Sequence, residues 1–486
     1  MNNNFLPFSF LKYCLGDEGE MSDVVAKMDW RELYAFAKKQ AIVGFCFEGI
    51  ERLGNEDPEE LRLNPIGQDL LMEWMGMAQW IRRQNMKVNA VAAQLFAQLR
   101  KDGLRCCILK GQGNTLMYPN PYSRTPGDID VWVNDSRERI TEYAKGHFAL
   151  EDDIRFHHLE TAMDGVLVEL HFMPCVMNNV VYNRRLQKWF RRNADLQCSN
   201  VVRLPDGAGE IAVPTTAFNV VYQLTHLYHH FFDEGIGMRQ IIDYYFVIND
   251  LFSKGYLSSS NTLGTLSKER IFPTTPSLLH KEGSTSFPKP LSPQGTGDVA
   301  GDAIALPEFW YHQRSSRPQG AADDCLTQQS SDCLCGVTPP CSKTAENATD
   351  TTDATTIVTA TESTSTVTSA HETLEVLQRD LKQLGLWKFA GAVMYVLHET
   401  LGLSEEKMIA PMDEKRGKLL LEEILNGGNF GKHFSKYGHF TQQGMAKKYF
   451  LKIWRNMHFV RYYPAEALSE PIFRTLHFLW RKWNKK

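Results

Sequence analysis

Residues 109–133 read LKGQGNTLMYPNPYSRTPGDIDVWV, and the reading of this stretch decides the fold. Upstream lies an apolar run, Cys106, Cys107, Ile108 and Leu109, short enough to be one buried strand, here expected over residues 105–109. Lys110-Gly111 breaks it and leads into a short helix expected over 111–117, and the stretch closes on Gly127-Asp128-Ile129-Asp130 running into Val131-Trp132-Val133, a second strand expected over 128–133. Side chains two apart on a strand share a face, so Asp128 and Asp130 are expected to converge while Ile129 and Val131 turn to the core. Like charges that close repel unless a cation lies between them, and a hard divalent ion such as Mg²⁺ is the usual solution.

Working outward toward the C-terminus, residues 136–145 are expected to form a helix capped by Asn134 or Asp135, and residues 154–159 and 166–172 two strands joined by the turn Met163-Asp164-Gly165. The second of these strands, Val166-Leu167-Val168-Glu169-Leu170-His171-Phe172, alternates so that Leu167, Glu169 and His171 share one face and Val168 and Leu170 the other. A carboxylate inside so apolar a strand is expensive unless it is paired or ligates a metal, which makes Glu169 the candidate third acid.

Leu109-Lys110-Gly111, Tyr118-Pro119, Arg124 and Gly127-Asp128-Ile129-Asp130 together resemble the uncharacterised nucleotidyltransferase family found in bacteria, within the polymerase-β-like nucleotidyltransferase superfamily. The acidic–apolar–histidine run Glu169-Leu170-His171 and the later Gly235-Ile236-Gly237-Met238-Arg239-Gln240 are similar to that family as well. The resemblance implies an enzyme that moves NMP from an NTP to a hydroxyl of an acceptor (small molecule, sugar, protein or RNA) with release of pyrophosphate. It implies two Mg²⁺ ions, with Mn²⁺ as a substitute, bridged by Asp128 and Asp130 and completed by Glu169. Lys110, Gly111, Gln112, Asn114, Arg124 and Gly127 are then expected at the nucleotide, and His171, His226 and Arg239 as substrate contacts. The chain departs from the wider superfamily in having Gly111-Gln112-Gly113 where Gly-Ser is usual, so the serine's phosphate contact would fall to backbone N–H groups, Gln112 or Asn114. A catalytically silent binding or regulatory module is the competing reading.

The rest of the chain frames this core. Residues 1–103 read as helical, with Trp30, Leu33, Tyr34 and Phe45, and later Trp74, Trp80, Val91 and Leu95, at helical spacing. Residues 104–212 make the α/β core, and residues 213–252 turn helical after Pro214. Here His226, His229 and His230 fall at i, i+3 and i+4, a spacing open to a zinc site but more often packing, and Arg239 is expected to pair with Asp243 one turn on. Residues 253–370 are rich in Ser, Thr, Pro and Gly and read as a disordered insertion, with Cys325, Cys333, Cys335 and Cys341 at no recognised zinc spacing. Residues 371–486 resume the helical domain, whose two halves are expected to pack together. From residue 447 on, ten Lys/Arg face only Glu466 and Glu470, with aromatics interleaved. Such a tail suits single-stranded nucleic acid or a membrane surface, but a helix with a solvated basic face that docks its aromatics on the core is the favoured reading.

The expectation is therefore an α+β protein: a small mixed β-sheet between N-terminal helices and a split C-terminal helical domain. At 486 residues, 43% hydrophobic and 23% charged with a formal charge of −4, the chain is ordinary for a globular protein and not a general polyanion binder. No apolar run approaches a bilayer span, the first 20 residues lack the marks of a secretory leader, and the scattered cysteines fit a reducing cytoplasm.

Overall fold

The computed structural model describes residues 6–17, 19, 21–150, 155–253, 370–433 and 445–484, so the insertion expected over 253–370 and its four cysteines lie almost wholly outside the described residues. The architecture is mixed α+β and mostly helical. Six helices come first: α1 (Leu6–Cys14), α2 (Ser22–Ala26), α3 (Trp30–Gln40), α4 (Val43–Glu56), α5 (Pro58–Leu63) and the long α6 (Gln68–Lys101). The central segment follows as β1 (Cys106–Leu109), α7 (Gly111–Thr115), β2 (Ile129–Val133), α8 (Arg137–His147), β3 (His158–Met163), β4 (Val166–His171), α9 (Val180–Ser199), β5 (Val201–Leu204) and β6 (Gly209–Ala212). The remaining helices are α10 (Thr216–Asp233), α11 (Met238–Ser253), α12 (Ala370–Gln383), α13 (Trp387–Leu401), α14 (Glu414–Gly427), α15 (Met445–Met457) and α16 (Pro464–Asn484).

The four-stranded sheet has the order β1-β2-β4-β3, with β1 and β3 antiparallel to their neighbours and β2 parallel to β4. Its two faces differ because its strands alternate. One face carries Ile108, Val131, Val168, Leu170 and Leu159 into an apolar cluster with Val91, Leu95 and Leu99 of α6, Ile140 of α8 and Ile211 of β6. The other carries the polar residues described below. Three expectations shift in detail: the strand expected over 154–159 is β3 and runs over His158–Met163, up to the turn, because its pairing is set by β4. The cap of α8 is Ser136, whose hydroxyl accepts from the Arg139 N–H, rather than Asn134 or Asp135, because Ser136 is the last extended residue before the helix. The β3–β4 turn is Asp164-Gly165, both at positive φ, as a two-residue hairpin turn requires. Helix α9 and the β5–β6 hairpin went unread in the sequence.

The C-terminal helices return to α10 and α11 through a ring cluster: Phe231 lies 5.8 Å from Phe389, 4.5 Å from Phe459 and 5.8 Å from Tyr463. Part of the basic tail is used up here. Lys452 and Arg474 both pair with Asp233, at 2.9 and 2.8 Å, and Arg455 pairs with the buried Glu423. These charges hold α15 and α16 to the body of the protein. No described helix is long and apolar enough to cross a membrane.

Candidate active site

The candidate site grows from strand register. Asp130 on β2 stands directly opposite Glu169 on β4, and Glu169 stands opposite Glu160 on β3, so three acids line one rank of one sheet face. One pair further along, Trp132, His171 and His158 form the next rank on the same face. Asp130, Glu160, Glu169, His158 and His171 are all buried. Such a row of charges is sustained only by close partners. His171 Nε2 lies 3.0 Å from Asp130 Oδ1 and 3.2 Å from Glu169 Oε2; His158 Nδ1 lies 3.5 Å from Glu169 Oε2, and its Nε2 is 3.3 Å from Glu160 Oε1. Ligand atoms of Asp130, Glu169 and His171 all fall within 4.8 Å of one another, as do those of His158, Glu160 and Glu169.

Lys110 closes the other side. Its φ of 54° and ψ of −141° swing the chain sharply between β1 and α7, and Gly111 follows at φ 41°. That bend aims the ammonium at Asp130 Oδ2, 2.9 Å away, and at His226 Nε2, 2.8 Å away. Burial would pull the Lys110 ammonium toward neutrality, but the carboxylates of Asp130, Asp128 and Glu169 outweigh it and raise its pKa. Burial pushes the Asp130 carboxyl up, yet Lys110 and the His171 hydrogen bond hold it below the usual carboxylate range. His171, drawn down by burial but bonded to two carboxylates, ends up at about 9 and carries a proton.

The other sequence candidates separate into two groups. Asp128 lies half-buried one residue before β2, within electrostatic reach of Lys110. Gly127 is exposed beside the Arg239 guanidinium. Arg239 itself is buried and makes no ion pair among the described residues: its Nη1 donates to the Thr125 carbonyl at 3.2 Å, its Nε has no partner, and its face lies over Phe430 at 5.3 Å. Burial, then the neighbouring Arg124, lowers its pKa to about 10.

The second group is tied into the body. Arg124, not Arg239, pairs with Asp243, in a buried two-pronged contact at 2.7 and 2.8 Å that Tyr118 Oη joins at 2.8 Å. The pairing expected from the i, i+4 spacing of Arg239 and Asp243 is therefore replaced by one between elements far apart in sequence. Gln112 donates to Asn89 of α6, and Asn114 Oδ1 accepts from Asn219 and Gln223 of α10. His226 also contacts His230 at 3.0 Å, and His229 lies against His157. The His226, His229 and His230 triple is not among the described groups whose spacing suits a metal.

Sequence reading missed His158 and Glu160. Their alternation in His158-Leu159-Glu160 was a signal in principle, but nothing local announced that β3 would pair with β4 in the register that puts them beside Glu169. It also missed Asn85, whose amide donates to the Tyr122 and Arg124 carbonyls and so pins the loop before the Asp128 turn to α6.

Residues 26–266, which span the whole sheet and the helices around this rank of acids, match the model of a family described as uncharacterised nucleotidyltransferase. The match places this span of the chain among the nucleotidyltransferases. Over that span it belongs to the uncharacterised nucleotidyltransferase family. No curated protein and no solved structure gives a match.

Proposed function

We propose that this protein transfers NMP from an NTP to an acceptor hydroxyl at the sheet face bearing Asp130 and Glu169. The observation that carries the reading is their direct pairing across parallel strands, with the Lys110 ammonium on the far oxygen of Asp130. The residues fit a divalent cation: two buried carboxylates turn oxygens toward one spot, and Asp128 stands at the entrance to the same strand. A divalent ion held there neutralises triphosphate charge and makes an acceptor hydroxyl easier to deprotonate.

The side chains supply the rest. Glu169 is placed to take the hydroxyl proton as the acceptor oxygen bonds to the α-phosphorus and the bond to the β-phosphate breaks, releasing pyrophosphate. Lys110 and Arg239 are the cations for the phosphates. Lys110 is anchored by Asp130, whereas Arg239 lays its Nη1 beside Gly127 and retains an Nε–H with no partner among the described residues. Arg124 positions the loop carrying Gly127 and Asp128 through its grip on Asp243.

The test is incubation with each of the four α-labelled NTPs, a divalent ion and fractionated cell extract as acceptor. Wild type is expected to transfer label and release pyrophosphate, and Asp130→Ala to lose at least about 100-fold. No transfer and no pyrophosphate release from any NTP would overturn it in favour of a silent binding module.

A further inference from the structure

We propose that His171 Nε2 is a direct metal ligand, so that the centre is a mixed nitrogen–oxygen site which selects a first-row transition ion such as Mn²⁺, Co²⁺ or Zn²⁺ over Mg²⁺. The proposal rests on the reading of Asp130 and Glu169 as the metal-holding pair and adds the third ligand and the class of ion.

Spacing is the first argument. Asp130 Oδ1 and Glu169 Oε2 lie 3.0 and 3.2 Å from His171 Nε2. Donor atoms around an ion with bonds of roughly 2.0–2.1 Å are separated by about 3.3 Å in tetrahedral geometry, so both separations from His171 Nε2 are within a few tenths of an ångström of that spacing, and all three donor atoms fall within 4.8 Å of one another. The imidazole is also oriented for the task. Its Nδ1 faces the Met173 carbonyl at 3.3 Å, which keeps an N–H on Nδ1, so a cation bound at Nε2 takes the place of the proton that bridges the two carboxylates in the metal-free protein. His158 lies beside Glu169, its Nδ1 3.5 Å from Oε2, and its other nitrogen faces Glu160 at 3.3 Å.

Charge is the second argument. Mg²⁺ favours all-oxygen shells and holds its waters, whereas imidazole suits softer first-row ions. Here Lys110 already neutralises one oxygen of Asp130, and Arg155 Nε lies 2.8 Å from Glu160 Oε1, so the rank presents less net negative charge than three free carboxylates would. A site poorer in anionic oxygen and equipped with a nitrogen donor disfavours the hard ion. The third position is filled by a histidine because β4 places residue 171 on the same face two residues beyond Glu169, while Asp128 lies outside the strand.

The test uses the full chain, stripped of metal and free of nucleotide, so its outcome is independent of whether NMP transfer occurs. Calorimetry is expected to show Mn²⁺ binding about 100-fold more tightly than Mg²⁺, and pulsed EPR of the Mn²⁺ form a hyperfine coupling from a coordinated nitrogen. His171→Gln is expected to lose that coupling and to bring the Mn²⁺ preference down about tenfold or more, with Mg²⁺ affinity changed by less than about threefold. His398→Gln, which alters a histidine on α13 that bonds the Leu403 carbonyl, is expected to keep both. Should His171→Gln fail to fold, wild type with ¹⁵N-labelled histidine decides: the coupling must change with the isotope. Absence of a nitrogen coupling in the wild type, or an unchanged metal preference in folded His171→Gln, would overturn the proposal and leave His171 as an imidazolium clamp between two carboxylates.

Discussion

Arg124 grips both oxygens of Asp243 across 119 residues of sequence, with Nε at 2.7 Å and Nη2 at 2.8 Å, in a setting where both side chains are buried. The contact joins the loop before β2 to helix α11 and thereby fixes the approach to Asp128 and Asp130. Removing one member strands the other charge in the interior, so Arg124→Ala is expected to destabilise by about 3–5 kcal/mol, with Arg124→Lys recovering only part because an ammonium cannot make the two-pronged contact. Urea denaturation of the two variants, alone and combined with Asp243→Asn, checks this. Additive losses would show that the pair is not coupled.

Arg239, which has no ion-pair partner among the described residues, gives the opposite expectation. Its buried Nε has no partner among the described residues, and burial lowers its pKa to about 10 while leaving it charged at neutral pH, so Arg239→Gln is expected to change stability by less than about 1 kcal/mol while raising the KM for NTP roughly tenfold or more. Steady-state kinetics read against a thermal melt separates the two; a large fall in Tm with unchanged KM would make Arg239 a structural residue.

Lys110 is held 2.9 Å from Asp130 by an unusual backbone bend. Lys110→Met keeps most of the length of the side chain and removes its charge, leaving Asp130 short of a cation. It is expected to lower kcat/KM at least about 100-fold, and the lost ammonium is expected to make binding of a divalent ion tighter rather than weaker, since one competing cation has gone. Calorimetric titration with the metal supplies the second readout, and weaker metal binding would count against the arrangement proposed here.

Gly113 tests packing at the turn. A Cβ built there would lie 2.9 Å from Val213 Cγ1, against a β-branched side chain with little freedom to move. Gly113→Ala is expected to cost about 1–3 kcal/mol, and Val213→Ala in the same chain to recover part of the loss. Equal denaturation midpoints for the single and double variants would show that the turn moves instead.

Glu466 gives a pH dependence away from the site. It is buried in the first turn of α16 and accepts the Asn178 and Asn179 N–H groups at 2.5 and 3.2 Å, and burial raises its pKa to about 7. Its charged neighbours are Glu470, one turn on, and Arg474, which pairs with Glu470. With a folded pKa above the unfolded value near 4.5, the native state binds the extra proton, so this group's stabilisation is full below pH 4.5 and is lost as pH rises to about 7. Glu466→Gln is expected to be less stable at low pH but to lack this decline, a difference in slope amounting to about 2–3 kcal/mol between pH 4.5 and 8. Parallel stability–pH curves for variant and wild type would remove Glu466 as the cause.

What local pattern alone could determine was substantial. Period-two alternation gave β2 and β4 their faces and set Glu169 with His171 on one of them, the meeting of that pair with Asp130 was implied by the family resemblance, and the helices around 30–40, 68–101, 216–253 and 387–401 followed from apolar spacing. These features depend on neighbours two to four residues apart, which is the range over which strand and helix geometry act. Tertiary structure alone decided who meets whom across the sheet and across the core. That β3 pairs with β4 in the register that sets Glu160 and His158 beside Glu169, and that Asp243 answers to Arg124 rather than to Arg239 one turn away, depends on how elements dock. Docking is governed by the fit of whole faces and the need to pair every buried charge, and neither is written in the spacing of residues along one segment.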